Sequence, residues 1–398
     1  MSKTNEWEAS KKIIETLQQQ GFEAYVVGGA VRDIVLGKPA TDIDIATSAI
    51  PEEVKAAFPR SIDVGIAHGT IVVLMDNCAI EVTTFRTDGK YLDHRRPTDV
   101  TFVRSLKEDM KRRDFTMNAM ALTRDEEIID LFGGKKDIQN GIIRTVGDPN
   151  HRFAEDALRM LRAIRFSAQL NFQLEEKTSE AITNNATNIQ NISVERITKE
   201  FEKIWLSDFP VNAMKEIEKT KIGQWLPGSL NWSSEMWGQF KDNKATVHGW
   251  AFLSLLQNKD KQEKIPNLYR LSNQQKIEIQ RIVKAVNIRE QRFFSTVDLY
   301  QFSEETLVIA EKFANIFFPS IERADTTTII EMKKTLPIQS IKELSITGND
   351  LMNWLDKPGG PWLKEMLNEI VQAILHKEID NHPEQIKEWI KNESRHKN

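Results

Sequence analysis

Residues Tyr25–Thr47, YVVGGAVRDIVLGKPATDIDIAT, decide the fold of the N-terminal part of the chain. An apolar run stops at Gly28-Gly29 and passes into an amphipathic stretch, which predicts a strand, a tight turn and a helix. Glycines in such a turn let backbone N–H groups approach an anion at a helix start, and Arg32 adds a charged donor. The stretch therefore predicts a phosphate-binding turn.

Two acidic residues follow this turn, in the sequence Asp42-Ile43-Asp44-Ile45. Residues two apart on a strand point to the same side, so we expect Asp42 and Asp44 to share one face. Two carboxylates beside a phosphate-binding turn suit a pair of Mg²⁺ ions. Taken alone, an Asp-x-Asp pair is more often the solvated face of an exposed strand.

The composition is that of a globular protein without disulfides. A chain of 398 residues is long enough for several domains, and the single Cys78 excludes an internal disulfide and suits a reducing cytoplasm. The polar start lacks a signal-peptide core, and no apolar run approaches the ~20 residues of a membrane span. Seven scattered His residues without paired ligand spacing argue against zinc.

The charge distribution is more informative than the net charge of −4, which argues mildly against a nucleic-acid partner. Of the 21 Arg residues, 12 lie between Arg86 and Arg165, where 17 Lys and Arg outnumber 14 Asp and Glu by three. Arginine is preferred where phosphates and base edges are bound by a planar group. This segment is therefore the candidate for contact with nucleotides.

A further carboxylate and a loop follow the acidic pair. Two strands are predicted at Ile71–Met75 and Ala79–Phe85, and in the second Glu81 alternates with apolar residues. Glu81 is a candidate third carboxylate for the metal pair, although a charge satisfied on a sheet face is an equal alternative. Arg86 to Pro97 reads as a charged, Gly-containing loop, either a plain surface loop or a mobile element over the site.

The segment 111–120 carries polar residues that suit a nucleotide. Arg113, Asp114 and Asn118 are expected near a helix start, where they could contact a triphosphate and a ribose. A run such as Arg-Arg-Asp is commonly only a solvated charged surface.

The mixed pattern ends at Gly147, and helical periodicity follows. The stretch 153–166, FAEDALRMLRAIRF, predicts one helix on which Asp156 and Arg159 are neighbours one turn apart. Such a pair is either a surface salt bridge or a reader of a base edge, because aspartate accepts from an exocyclic amine and arginine donates to ring acceptors. Arg162 and Arg165 extend the basic line along the same helix.

Together, these motifs resemble those of the class II CCA-adding enzymes, tRNA nucleotidyltransferases of the Gram-positive bacterial type. GGAVRD with Asp42-Ile43-Asp44 looks like the catalytic motif, and Arg112-Arg113-Asp114 through Asn118 looks like the motif that selects ribose. Asp130, Gly134 and Arg144 match the spacing of the hinge motif. Glu155 to Arg159 looks like the amino-acid template, and Glu195-Arg196 falls where the family has a neck-stabilising motif.

The resemblance implies an α+β fold class, with an N-terminal nucleotidyltransferase (polymerase-β-like) mixed-sheet head followed by an all-helical neck, body and tail. We place the head at 1–147, the neck with its nucleotide-base template at 148–222, the body at 223–318 and the tRNA-binding tail at 319–398. It also implies site roles: Asp42, Asp44 and Glu81 as catalytic residues, the first two as Mg²⁺ ligands; Gly29, Arg32, Arg113, Asp156, Arg159, Arg162 and Arg165 in nucleotide binding; and Asp114 and Asn118 in ribose selection.

The implied reaction adds C, C and A to the 3′ end of tRNA from CTP and ATP, without a nucleic-acid template and with release of pyrophosphate. CC-adding, A-adding and poly(A)-polymerase relatives are alternatives, and a non-catalytic RNA-binding protein is an alternative of a different class. The loop Arg86 to Pro97 favours CCA or A addition, because CC-adding relatives lack a comparable loop. No His-Asp dipeptide occurs, which argues against an HD-type phosphohydrolase domain. A homodimer is left open.

Overall fold

The computed structural model describes residues 5–40, 42–65, 68–89, 100–230, 232–240 and 245–396, with side chains described as far as 392. The chain divides into two compact units. The first comprises 1–246 together with 268–270, and the second comprises 247–267 together with 271–398. This division does not fall at Gly147, and the limits given above for head, neck, body and tail stay predictions.

A seven-stranded mixed sheet lies in the first unit, as the sequence predicts. Its strands are β1 (Ala24–Val27), β2 (Asp44–Thr47), β3 (Ser61–Gly65), β4 (Thr70–Met75), β5 (Cys78–Thr84), β8 (Met120–Leu122) and β9 (Ile128–Asp130). Their spatial order is β3-β4-β5-β2-β1-β8-β9. The pair β2–β5 is parallel and the other neighbours are antiparallel.

Two short two-stranded sheets accompany it. Strands β6 (Arg86–Asp88) and β7 (Val100–Phe102) pair antiparallel, and β10 (Ile142–Ile143) pairs parallel with β11 (Gln173–Leu174). Strand β10, only two residues long, does not join the large sheet.

Apolar alternation accounts for the central strands. In β5, Ile80 and Val82 are buried while Glu81 is exposed, as the period of two predicts. The turn between β4 and β5 uses Asp76 and Asn77 at φ 51° and 62°, a left-handed conformation that these residue types tolerate best. The predicted hairpin is confirmed.

Helices of the first unit cover the sheet and continue beyond it. They are α1 (Asn5–Gln19), α2 (Gly29–Val35), α3 (Pro51–Ala57), α4 (Leu106–Lys111), α5 (Gly134–Asn140), α6 (Pro149–Glu155), α7 (Leu158–Leu170), α8 (Glu176–Asn185), α9 (Val194–Trp205), α10 (Pro210–Thr220) and α11 (Ser234–Trp237). Short 3₁₀ turns lie at Thr116–Asn118, Ala186–Asn191 and Ile222–Trp225.

The second unit is helical, as predicted. Its elements are α12 (Thr246–Leu255), α13 (Lys259–Gln262), α14 (Ile265–Leu268), α15 (Asn273–Gln291), α16 (Thr296–Gln301), α17 (Glu304–Phe317), α18 (Thr326–Lys334), α19 (Gly348–Leu355), α20 (Trp362–Leu375), α21 (Pro383–His396) and a 3₁₀ turn at Ile341–Glu343, with the end residues of α12 and α14 counted in the first unit. No helix in the described part of the chain is long and apolar enough to cross a membrane.

The tryptophan cluster of the first unit is core. Trp205 and Trp237 are buried and stack at a centroid distance of 4.7 Å, and Phe201 stacks on Trp232 at 5.5 Å. Trp225 is the more exposed member, at 37%.

Candidate active site

The predicted strand–turn–helix forms at Gly28 and Gly29. Strand β1 ends at Val27, α2 begins at Gly29, and Gly28 takes a φ of +73° that favours glycine. A Cβ on Gly28 would lie 3.3 Å from Nη1 of Arg113, so the arginine packs directly against the turn. The turn thus presents its backbone beside a fixed positive charge.

The two acidic residues are placed differently from the prediction. Strand β2 begins only at Asp44, whereas Asp42 precedes the strand with a φ of +55°. The expectation that they share a strand face is therefore wrong, because Asp42 adopts the left-handed conformation that aspartate tolerates. The partner that the sheet gives Asp44 is Glu81, directly opposite it in the parallel β2–β5 pair.

These carboxylates are close enough to repel one another. Asp44 is exposed, yet neighbouring groups displace part of its hydration, and this desolvation together with the charge of Glu81 raises its pKa to about 6. Asp42 adds to the rise and Arg113 opposes it. Crowded carboxylates with a raised pKa are a donor set that suits a divalent cation. Among the described residues, no group of three or more acidic, His or Cys side chains is arranged as a complete metal centre.

A pocket of about 430 Å³ opens beside the glycine turn. It is lined by Gly28, Gly29, Arg32, Asp44, Arg112, Arg113, Asp114, Asn118, Asp156, Leu158, Arg159, Arg162, Phe166 and Arg196. Six arginines against three aspartates give this lining a formal charge of +3. Such a lining attracts a polyanion such as a triphosphate.

A hydrogen-bonded chain joins one side of the pocket to the other. Arg162 donates to Asp114 (2.8 Å), which accepts from Asn118 (3.1 Å), and Asn118 accepts from Arg32 (3.0 Å). Burial alone would raise the pKa of Asp114, but Arg162 and Asn118 stabilise its charged form and lower the pKa to about 2. The chain fixes Arg32 in the pocket.

The sequence predicts Asp114 and Asn118 near the start of an α-helix, but neither residue lies there. Helix α4 ends at Lys111 before them, and Asn118 closes the 3₁₀ turn Thr116–Asn118. Asn118 nevertheless lies in the pocket together with Arg113 and Asp114.

The helix predicted over 153–166 is broken at Asp156. This residue has an extended backbone (φ −134°, ψ 103°) between α6 and α7, so no single helix carries both Asp156 and Arg159, although the N–H of Arg159 donates to the Asp156 carbonyl oxygen at 3.0 Å. Asp156 instead pairs with Arg196 of α9 at 2.9 Å, and Arg159 pairs with Glu155. Asp156 and Arg159 still line the same pocket.

Three predicted site residues are not among those that line the pocket: Asp42, Glu81 and Arg165. Arg165 is buried in an ion pair with Glu200 at 2.6 Å, and its guanidinium lies 4.2 Å from the ring centroid of Phe166. The loop Arg86 to Pro97 is described only as far as residue 89, and its remainder lies outside the described residues.

Leu158, Phe166 and Arg196 line the pocket but are not among the predicted site residues. Arg196 was assigned to neck stability alone, but its contact with Asp156 brings it to the pocket from 40 residues away in sequence. Phe166, expected only in a helix, has Arg32 and Arg162 within 6 Å of its ring centroid, at 5.3 and 5.8 Å. No local pattern signals either contact.

Asp130 and Gly134, two of the three residues that resemble the hinge motif, contact one another. Asp130 accepts from the backbone N–H of Gly134 and of Lys135, both at 2.9 Å. A Cβ on Gly134 would lie 2.2 Å from the carbonyl oxygen of Thr116, so only glycine fits there.

A mixed sheet bearing Asp44 and Glu81, next to a glycine turn and an arginine-rich pocket, defines a nucleotidyltransferase. Residues 24–144 match the model of the poly A polymerase head domain, 171–230 that of a probable RNA and SrmB-binding site of polymerase A, and 242–390 that of a putative tRNA nucleotidyltransferase domain 2. The chain belongs to the CCA-adding enzymes, a family of tRNA nucleotidyltransferases.

Relatives match over nearly the whole length. The chain is 44% identical to the CCA-adding enzyme of Geobacillus sp. (strain WCH70) over 383 residues, 95% of each chain. It is 43% identical to that of Bacillus cereus (strain B4264), covering 96% of this chain and 97% of the relative. The Bacillus stearothermophilus enzyme, solved with CTP, superposes with a TM-score of 0.83 at 38% identity and 99% coverage of both chains. A Thermotoga maritima CCA-adding enzyme complexed with tRNA shares the fold (TM-score 0.66, 19% identity, coverage 98% and 96%).

Proposed function

We propose that this chain adds C, C and A in turn to the 3′ end of tRNA, using CTP and ATP and releasing pyrophosphate. The observation that carries the proposal is the pocket in which the Gly28 turn, Asp44 and six arginines converge. The 43–44% identity to CCA-adding enzymes supports it and makes an A-adding enzyme, a poly(A) polymerase or a silent RNA-binding protein less favoured.

The family calls for a divalent metal, and we assign its binding to Asp42 and Asp44, with Mg²⁺ as the ion and Glu81 beside Asp44. The raised pKa of Asp44 supports this, because a bound cation would relieve the repulsion from Glu81. When bound, the ions supply charge stabilisation at the α-phosphate and lower the pKa of the attacking 3′-hydroxyl.

The arginines of the pocket hold the nucleotide. We assign the triphosphate to Gly29, Arg32 and Arg113, which lie together at the glycine turn. Asp114 and Asn118 sit between Arg32 and Arg162 and serve ribose selection. Arg162 supports the nucleotide through its hydrogen bond to Asp114. Arg165 supports it indirectly, through its contact with the ring of Phe166 in the pocket lining.

Asp156 and Arg159 read the base. Asp156 is an acceptor when ionised and suits the exocyclic amine of cytosine or adenine. Arg159 donates to the cytosine carbonyl and ring nitrogen or to the adenine ring nitrogen. Uracil and guanine present the wrong order of groups and would leave buried groups unpaired at ~1–3 kcal/mol each.

The helical remainder is the proposed tRNA-binding part, recognising the tRNA by shape and backbone. We place the protein in the cytoplasm, in keeping with its single cysteine. A homodimer stays untested.

The decisive experiment offers a tRNA lacking its 3′ CCA to the purified protein with CTP, ATP, UTP and GTP, and sequences the products. We expect ends that read CCA, with neither U nor G added. Products ending in CC, in a single A or in a long A tail would identify one of the relatives instead, and unextended tRNA would leave only RNA binding.

Removing either acidic residue of the catalytic motif tests the metal assignment. Asp42→Ala and Asp44→Ala should each lower nucleotide addition by at least about a thousandfold, since charge stabilisation at the reacting phosphate is lost. Binding of tRNA, measured by filter retention, should change little. Asp63→Ala is the matched control, because Asp63 is an exposed carboxylate on β3 that pairs with Lys55 at 2.9 Å. Normal addition by Asp44→Ala would remove the basis for the assignment.

A further inference from the structure

One buried carboxylate lies just behind the pocket and is not part of its lining. The side chain of Asp109, in α4, is only 1% exposed. Its Oδ1 accepts from Arg112 Nε (2.9 Å) and Nη2 (2.8 Å), and its Oδ2 accepts from Arg113 Nη2 (3.2 Å). One carboxylate therefore orients two of the six pocket arginines.

The charge of Asp109 is stabilised despite its burial. Burial alone would raise the pKa of this carboxyl, but Arg113 and Arg112 outweigh it and the pKa lies below its usual range. The carboxylate is therefore ionised at neutral pH and forms charge-assisted hydrogen bonds, which are stronger than neutral ones.

Arg113 is the arginine whose placement matters most for a triphosphate. Its Nη1 lies against the Gly28 turn, and its charge acts on Asp44. Within the described part of the chain, its buried Nε has no hydrogen-bond partner. Asp109 holds the guanidinium through Nη2, while Nη1 lies beside the Gly28 turn.

The same carboxylate also reaches the segment that follows β5. The backbone N–H of Arg86, the first residue of β6, donates to Asp109 Oδ1 at 3.4 Å. Asp109 thus ties α4, β6 and the two arginines into one rigid group. Fixing a guanidinium in advance removes the entropic cost of ordering it on binding.

We propose that Asp109 is a positioning residue for nucleotide binding, which holds Arg113 against the Gly28 turn so that CTP and ATP meet a preformed donor. This rests on the proposed function only for the identity of the two nucleotides. Asp109 acts through Arg113 and touches neither substrate, so its loss should affect CTP and ATP alike.

The test is a double-mutant cycle on equilibrium binding of CTP and of ATP. Asp109→Asn should weaken both nucleotides by about tenfold, as expected when a charge-assisted hydrogen bond is lost. Because Asp109 also orients Arg112, the cycle is run in an Arg112→Ala background, where Asp109→Asn combined with Arg113→Ala should bind no more weakly than Arg113→Ala without it. Binding of tRNA lacking CCA should be unchanged. Unaltered CTP binding in Asp109→Asn, or a full tenfold further loss in the double mutant, would overturn the proposal.

A control separates positioning from stability. Glu311→Gln also removes a buried carboxylate charge, from a pair with Arg289 in the second unit, and should lower the melting temperature while leaving CTP binding unchanged.

If Asp109→Asn does not fold, Arg113→Lys serves instead, because the shorter lysine leaves Asp109 paired with Arg112 but cannot contact both Asp109 Oδ2 and the Gly28 turn. This variant should weaken the binding of CTP and of ATP equally. Normal binding of both nucleotides would contradict the proposed positioning of Arg113. Wild-type protein that binds CTP but extends no tRNA would refute the proposed function and leave this inference standing.

Discussion

At the scale of single residues, the site depends on acidic side chains held ionised by arginines. Asp114 is the clearest example, because its contacts with Arg162 and Asn118 hold its pKa at about 2 in a buried position. In the unfolded chain an aspartate titrates near ~3.9. Folding is therefore favoured by the ionised form of Asp114.

This difference predicts a defined dependence of stability on pH. A group whose pKa is lower in the folded state stabilises the fold above its unfolded pKa, and this contribution is lost as the pH falls through the folded value. For Asp114 the window runs from about pH 4 down to about pH 2, with a contribution of about 2–3 kcal/mol.

Calorimetry of the wild type and Asp114→Asn at a series of pH values checks this. The wild type should be the more stable at pH 7, and the gap between the two proteins should shrink steadily between pH 4 and pH 2. A gap that stays constant over this range would show that the charge of Asp114 contributes nothing to the fold.

At the scale of elements, the break between α6 and α7 is the feature that shapes the pocket. Asp156 accepts from the backbone N–H of Leu158 at 3.1 Å and so begins α7, while its carboxylate pairs with Arg196. Asp156 therefore has a structural role that a surface salt bridge with Arg159 would not give it.

Asp156→Asn tests the reading role while it keeps the contact with Leu158. It keeps an oxygen for Leu158 but replaces an acceptor by a donor, which opposes the amine of cytosine and adenine. We expect lower use of CTP and ATP, or added U or G, measured by sequencing products made with all four nucleotides.

The matched control is Asp148→Asn, which alters an aspartate that caps α6 through the N–H of His151. It should leave nucleotide choice unchanged. Faithful CCA addition at the normal rate by Asp156→Asn would leave Asp156 with its structural role only.

Helices, strands and turns could be predicted where the sequence pattern that specifies them lies within the element itself. The glycine turn, α1 and the β4–β5 hairpin follow from periodicity and turn residues nearby in sequence. The break at Asp156 could not be predicted, since the stretch 153–166 contains no Gly or Pro to mark it, and Arg196, which pairs with Asp156, comes 40 residues later. Strand β8, three fully buried residues, shows no alternation to detect. The pairing of Asp44 with Glu81 depends on sheet order, which single strands do not encode.

At the scale of the whole molecule, each unit contains its own buried ion pair of the same type. Arg165 and Glu200 pair at 2.6 Å in the first unit, and Arg289 and Glu311 pair at 2.6 Å in the second. Removing one partner of such a pair leaves an uncompensated buried charge, at a typical cost of about 3–5 kcal/mol.

Removing one partner of each pair therefore tests the stability of each unit separately. We expect Glu200→Gln and Glu311→Gln to shift different components of the calorimetric unfolding profile to lower temperature, each leaving the other component in place. Identical shifts of one single transition in both variants would mean that the chain unfolds as one cooperative unit.

The return of residues 268–270 to the first unit limits where this chain can be divided. Tyr269 is fully buried there, edge-on to Phe201 at 5.9 Å, and its carbonyl oxygen accepts from Thr198 at 2.8 Å. A fragment ending at residue 246 would lack that ring and expose the space it fills. A truncation meant to isolate the first unit must therefore extend at least as far as residue 270.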